Sequence, residues 1–264
     1  MNKFYIIGTL ILALIGLRAI DPFPIESMRL KTFDYFISTL PNIGDENILL
    51  VDIDDDSLQQ LGQWPWPREV FCRFLGPGVT GFSVLFPEED RFGGDKNLAK
   101  CIKKNSVVVS AAASNADSAG KPPHVGTSSI GEDPKPFLFS YKGVLNNVDR
   151  IEEAAIGNGV TSTAPEVDNL VRRLPLVFNI NDTLYPSFGL EVLRAAADAK
   201  SYTLKTNKTG IEALRVKGLP VITTDPNARV WATWNTKFSR ISAKDYVEKA
   251  PQYPIVLLGV TARG

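Results

Sequence analysis

An apolar run, Ile48-Leu49-Leu50-Val51, drives straight into a burst of carboxylates at Asp52, Asp54, Asp55 and Asp56, and Leu61-Gly-Gln-Trp-Pro-Trp-Pro-Arg68 follows at once. A short apolar run without polar alternation reads as a strand buried on both faces, so layers must cover it from either side. Crowded carboxylates end that burial, because ionised groups leave water only when paired. Each proline of the Trp-Pro pairs restricts both itself and the residue before it. The stretch therefore predicts a strand-end corner with rigid aromatic walls.

Similar runs recur at residues 81–86, 106–112 and 255–260, and together with 48–53 they predict a parallel core. Residues 67–75 fit a first crossover helix, with Pro67 at its first position and Gly76-Pro-Gly78 ending it, and residues 95–104 fit a second. Later segments, 172–180, 214–217, 219–223 and 229–234, alternate partially, with turns at Gly218 and Asp225-Pro-Asn227. Between them, residues 186–200 form the best helix, carrying Phe188, Val192 and Ala195 on one stripe and Glu191 near Arg194 on the other face. Residues 114–135, rich in Ser, Gly and Pro, read as a loop. The expected class is α/β, a mixed sheet with a parallel core and an antiparallel, hairpin-rich second half, preceded by an N-terminal membrane anchor. A length of 264 residues with 44% hydrophobic content is ample for such a core.

The anchor is residues 1–20. Lys3 precedes an uncharged run over residues 4–17, which spans about 21 Å as a helix against a hydrocarbon core of roughly 30 Å. A snorkelling Arg18 and the apolar Ala19-Ile20 extend it. A cleaved signal peptide competes, but Leu17-Arg18-Ala19 offers no small-x-small cleavage site, so an uncleaved anchor is preferred. Charge does not fix its orientation, since Lys3 is opposed by Arg18, Arg29 and Lys31 across the segment. Asp21-Pro-Phe-Pro24 stops that helix, and residues 25–40 predict an amphipathic helix that docks on the domain through Met28, Leu30, Phe33, Phe36 and Ile37.

Lys plus Arg and Asp plus Glu balance at 29 each, which leaves no field to hold a nucleic acid. Cys72 and Cys101 show no CxxC pattern; they permit one disulfide in an oxidising compartment, although two buried free thiols are the preferred expectation. His124, the one histidine, sits alone in a Pro-Gly loop without a partner cluster.

Read in order, residues 51–68 resemble V-x-I-D-D-x-S-L-x-x-L-G-x-W-P-W-P-R, the pattern of the second type of CHASE domain, the cyclase/histidine-kinase-associated sensory extracellular module. Four further blocks follow in the family's order: GFSVLFPEED at 81–90, DNLVRRLP at 168–175, YPSFGL at 185–190 and IVLLGVTARG at 255–264. One departure is that Ser83 or Val84 stands where the family usually has Asp. The resemblance implies that residues 21–264 form a sensory domain that continues past Gly264 into more sensor and then membrane helices. It implies a non-catalytic input domain without a cofactor, coupled in its parent protein to a cyclase, kinase or related output. Such a domain sits on the cell membrane, the inner one in a Gram-negative cell, and faces the periplasm or extracellular space. Its expected partners are the membrane and an unidentified small-molecule or protein ligand, with a homodimer left open.

The residues also allow other functions. Residues 48–54, ILLVDID, have the shape of the haloacid-dehalogenase nucleophile motif, which would make Asp52 a nucleophile and Asp54 an acid/base in a magnesium-dependent phosphatase. No persuasive downstream Lys or acidic pair accompanies it, except Glu88-Glu-Asp90. Carboxylates capping turn and helix N–H groups are the preferred alternative, and a secreted binding protein is a third possibility. Trp64, Trp66 and Arg68 suit a planar anionic ligand, or else they wall the core while Arg68 pairs with Glu88 or Asp90. Because parallel strands end on one side, Asp54, Asp55, Glu88 and Asp90 are expected to gather at the carboxyl edge around Arg68. Whether that cluster takes a metal is left open.

Overall fold

A computed structural model of the chain describes residues 3–41, 44–118, 120–234, 237–249 and 251–262. Helix α1 (Lys3–Ile20) has no buried residue, and it is the single described helix long and apolar enough to cross a membrane. Its 18 residues span about 27 Å. Asp21, at φ 41°, and Pro22 break the chain before α2 (Phe23–Thr39). Of the stripe expected to dock, only Leu30 is fully buried, whereas Met28 and Phe36 are 70% and 62% exposed. Phe33 and Asp34 supply the contact instead.

Six parallel strands build the core: β1 (Asp45–Ile53), β2 (Val79–Ser83), β3 (Ser106–Ser114), Gly157–Val160, Phe238–Ser242 and Ile255–Val260. Across the sheet they run Phe238–Ser242, β1, Ile255–Val260, β2, β3, Gly157–Val160. Gly143–Leu145 adds a seventh strand, antiparallel to the end of β3. The four apolar runs are the four central strands, as expected of segments buried on both faces. β2 stops at Ser83, yet Val84 and Phe86 continue into the core as irregular buried chain.

One face of the sheet carries α3 (Asp55–Leu61), the 3-10 turn Arg68–Phe74, α4 (Asp95–Lys103), α5 (Asp149–Glu152) and α7 (Ala243–Lys249) over a large aromatic core. The opposite face carries α6 (Phe188–Ala196). Gly81 lets α6 come close, since a Cβ there would meet Leu257, Phe188 and Val192. Residues 67–75 thus wind as a 3-10 turn rather than the expected α-helix. Short segments favour that tighter winding, and this one is bounded by Pro67 and by Gly76-Pro77. It is also tied to α4 by a Cys72–Cys101 disulfide, Cα atoms 5.7 Å apart, which corrects the expectation of two free thiols.

The second half is hairpin-rich. Tyr202–Asn207 and Gly210–Val216 pair antiparallel, Ile222–Thr223 extends them across the Gly218 turn, and Arg229–Trp231 pairs antiparallel with Arg173–Pro175. Thr127–Gly131 lies parallel on Tyr202–Asn207, so the expected loop at 114–135 contains a strand. The structure also buries Glu191, fully, and Arg194, rather than leaving them on an open helix face.

Candidate functional site

The acids of the opening motif divide between two corners. At the first, β1 ends where Asp52 holds Arg240 of the neighbouring edge strand through two contacts of 2.9 Å. Asp54 then caps α3: its Oδ1 accepts the Ser57 backbone N–H at 2.8 Å, the Ser57 hydroxyl at 2.6 Å and the Ser242 hydroxyl at 2.9 Å. Burial alone would raise the Asp54 carboxyl, but these Ser57 and Ser242 bonds bring it below the usual range. Asp55 lies in the first turn of α3, where the helix dipole favours it. Asp56 takes Lys244 at 2.9 Å.

The second corner is the Trp-Pro pocket, about 350 Å³, lined by Trp64, Pro65, Trp66, Arg68, Phe71 and residues 84–91. Trp66 is core: it is 1% exposed, lies near-parallel to Phe74 at 6.1 Å and donates from its indole to the Gly62 carbonyl at 2.6 Å. Trp64, half-buried, meets Trp66 edge-on at 5.7 Å and keeps surface on the pocket. Arg68 does not pair with either expected carboxylate. Its Nε donates to Asp95 at 3.0 Å, its Nη2 donates to the Glu88 carbonyl at 2.9 Å, and the guanidinium lies 4.6 Å from the centre of the Phe86 ring. Asp95 opens α4, and its buried carboxylate, rather than that of Glu88 or Asp90, meets Arg68. Asp90 instead accepts the Gly94 N–H at 2.9 Å.

Sequence therefore placed Trp64, Trp66, Arg68, Glu88 and Asp90 around one pocket, whereas Asp52, Asp54 and Asp55 stand outside its lining. The expected gathering fails because Ile255–Val260 inserts between β1 and β2 and separates their ends by two strand spacings, roughly 10 Å. Among the described residues, no group of three or more His, Cys, Asp or Glu is arranged to hold a metal ion.

A third cluster was missed. Arg172, whose side chain is 4% exposed, grips Asp34 of α2 with two bonds of 2.7 Å and Asp168 with two of 2.8 Å. Hydrogen bonding to Arg172 lowers both carboxyls, Asp168 to about 2. Phe33 packs on Trp231 at 4.1 Å, and Arg173 lies over the same indole while gripping Glu166 at 2.6 and 2.7 Å. Trp234 donates to the Val171 carbonyl at 2.9 Å. This clasp ties the helix that follows α1 to the body of the domain. Adjacent arginines opening a strand were its sequence signal, but Asp34 lies 138 residues away from Arg172.

A family model described as the CHASE2 domain matches residues 9–264, from within α1 through the last strand of the sheet. No curated protein and no solved structure matches the chain. The match spans both the Trp-Pro pocket and the Arg172 clasp, and with it the chain belongs to the CHASE2 family, extracellular sensory domains of signalling proteins.

Proposed function

We propose that this chain is the membrane-anchored, extracytoplasmic input domain of a signalling receptor, non-catalytic in itself, which receives a ligand in the Trp-Pro pocket and passes the change to α1 through α2. The observation that carries this reading is the clasp. A buried guanidinium shared between Asp168 of the domain and Asp34 of α2 makes the juxtamembrane helix part of the sensor's packing. Any shift of the loop bearing Asp168 and Arg172 is then felt by a helix joined to α1 through only Asp21 and Pro22. The pocket supports the receiving role by its position, since ligands of open α/β sheets settle outside the carboxyl ends of the strands. The Cys72–Cys101 disulfide fits an oxidising compartment outside the cytoplasm.

Phosphatase chemistry at Asp52 and Asp54 is the weaker alternative. Both Asp52 oxygens are held by Arg240, and Asp54 caps α3 with three donors on its Oδ1, so each carboxylate already has a structural role. Membrane fractionation tests the anchored reading. The chain should stay with membranes through an alkaline wash and keep its N-terminal residues. Recovery as a soluble protein trimmed near residue 20 would make it a secreted binding protein instead.

A further inference from the structure

The pocket's charge and walls define what it can hold. Its one deep cation, Arg68, is already neutralised by Asp95; both side chains are 11% exposed. An anionic ligand would have to compete with that buried carboxylate. At the rim, Glu88, Glu89 and Asp90 face a single arginine, Arg91, whose guanidinium rests 4.8 Å from the centre of the Phe92 ring. Among the described residues, the Glu88 and Glu89 side chains make no hydrogen bond or ion pair, and both are exposed. The mouth is therefore net negative, with two uncommitted carboxylates.

The walls point the same way. Trp64, half-buried, gives its ring to the pocket of about 350 Å³ while Trp66, Phe71 and Phe86 back it from the core, each 1% exposed, and the fold already seats one cation on an aromatic face, Arg68 over Phe86. An aromatic face attracts cations through its quadrupole, most strongly when the ring is tryptophan and water is excluded. Trp64 is the indole that keeps pocket surface and, among the described residues, has no cation over it.

We propose that the Trp-Pro pocket takes a small quaternary ammonium, seated against Trp64 with Glu88 and Glu89 as counter-charges. This rests on the pocket being the sensor's ligand site. It replaces the expectation of a planar anion, which assumed an unpaired Arg68.

The test is calorimetric titration of the full chain in a non-ionic maltoside detergent, since zwitterionic detergents carry ammonium groups themselves. Choline is compared with its uncharged tert-butyl isostere, with acetate and with inorganic phosphate. Choline should bind at least about tenfold more tightly than the isostere, and added salt should weaken it. Trp64→Ala, and separately the double change Glu88→Gln with Glu89→Gln, should each weaken choline about tenfold. The double change lies on exposed side chains, so it remains informative if Trp64→Ala unfolds. Equal binding of the isostere, or choline binding indifferent to both variants, overturns the proposal. Binding of acetate or phosphate that depends on Trp64 overturns the cationic class but keeps the pocket as a ligand site. If none of the four probes binds, the cationic proposal falls, while the anchored sensor reading is judged by the membrane fractionation.

Discussion

Replacing Arg172 by methionine removes the guanidinium at the centre of the clasp while keeping most of its apolar volume. Truncating one member of a fully buried ion pair costs about 3–5 kcal/mol, and an exposed pair contributes about 0–1. The clasp lies between these limits, because Arg172 is buried but Asp34 is 44% exposed and can be rehydrated. We expect Arg172→Met to cost about 2 kcal/mol, or a melting temperature lower by about 4–8 °C for a domain of this size. Asp34→Asn, which loosens only the exposed arm, should cost about 1 kcal/mol, and the pair should show a coupling of similar size in a double-mutant cycle. Stability alone does not separate clasp from core, so α2 must be followed directly. Trypsin should cut after the exposed Arg29 and Lys31 faster in Arg172→Met than in the parent chain. The pH response gives a second signature. Carboxyls whose folded pKa is depressed contribute stability above about pH 4 and lose it as pH falls through the folded value, about 2 for Asp168. Between those limits the parent chain should weaken more steeply than Arg172→Met. An unchanged melting temperature, or a loss of stability with α2 as protease-resistant as before, would refute the clasp.

Arg68→Ala should cost about 2–3 kcal/mol, because it leaves Asp95 buried without its cation; calcium or magnesium should not restore the melting temperature, and a rescue by either would show that the acids do gather. Cys72→Ser should lower stability by about 3.5 kcal/mol for a loop of 29 residues, read from urea unfolding, and the parent chain should take up a thiol reagent only after reduction. Burial raises the Glu191 carboxyl to about 7 despite Arg194, so the folded state holds that proton more tightly than the unfolded chain between about pH 4 and 7. Stability should therefore fall as pH rises through that window, and Glu191→Gln should flatten the fall in urea midpoints.

The parallel core was legible because strands buried on both faces carry unbroken apolar runs, and residues 48–53 and 106–112 hold little else. Less visible was Tyr202–Asn207, whose buried positions alternate strictly but include Thr206, a polar side chain that hides the period. The disulfide and the clasp depend on contacts across 29 and 138 residues, which no local pattern encodes. At the Trp-Pro pocket the residue types were readable, yet the pairing was not. Arg68 had three acids within a short stretch, and only the start of α4 decides for Asp95. The expected union of both acidic groups failed for a topological reason, the insertion of the last strand between β1 and β2.

Topology tests the central claim most directly, because an input domain outside the cytoplasm must be reachable from outside an intact cell. Both native cysteines are locked in the disulfide, so a single cysteine introduced at Asp117, in an exposed irregular segment after β3, is the one reactive thiol. An impermeant maleimide should label Asp117→Cys in intact cells as fully as in lysed ones. Labelling only after lysis would place the domain in the cytoplasm and contradict the account.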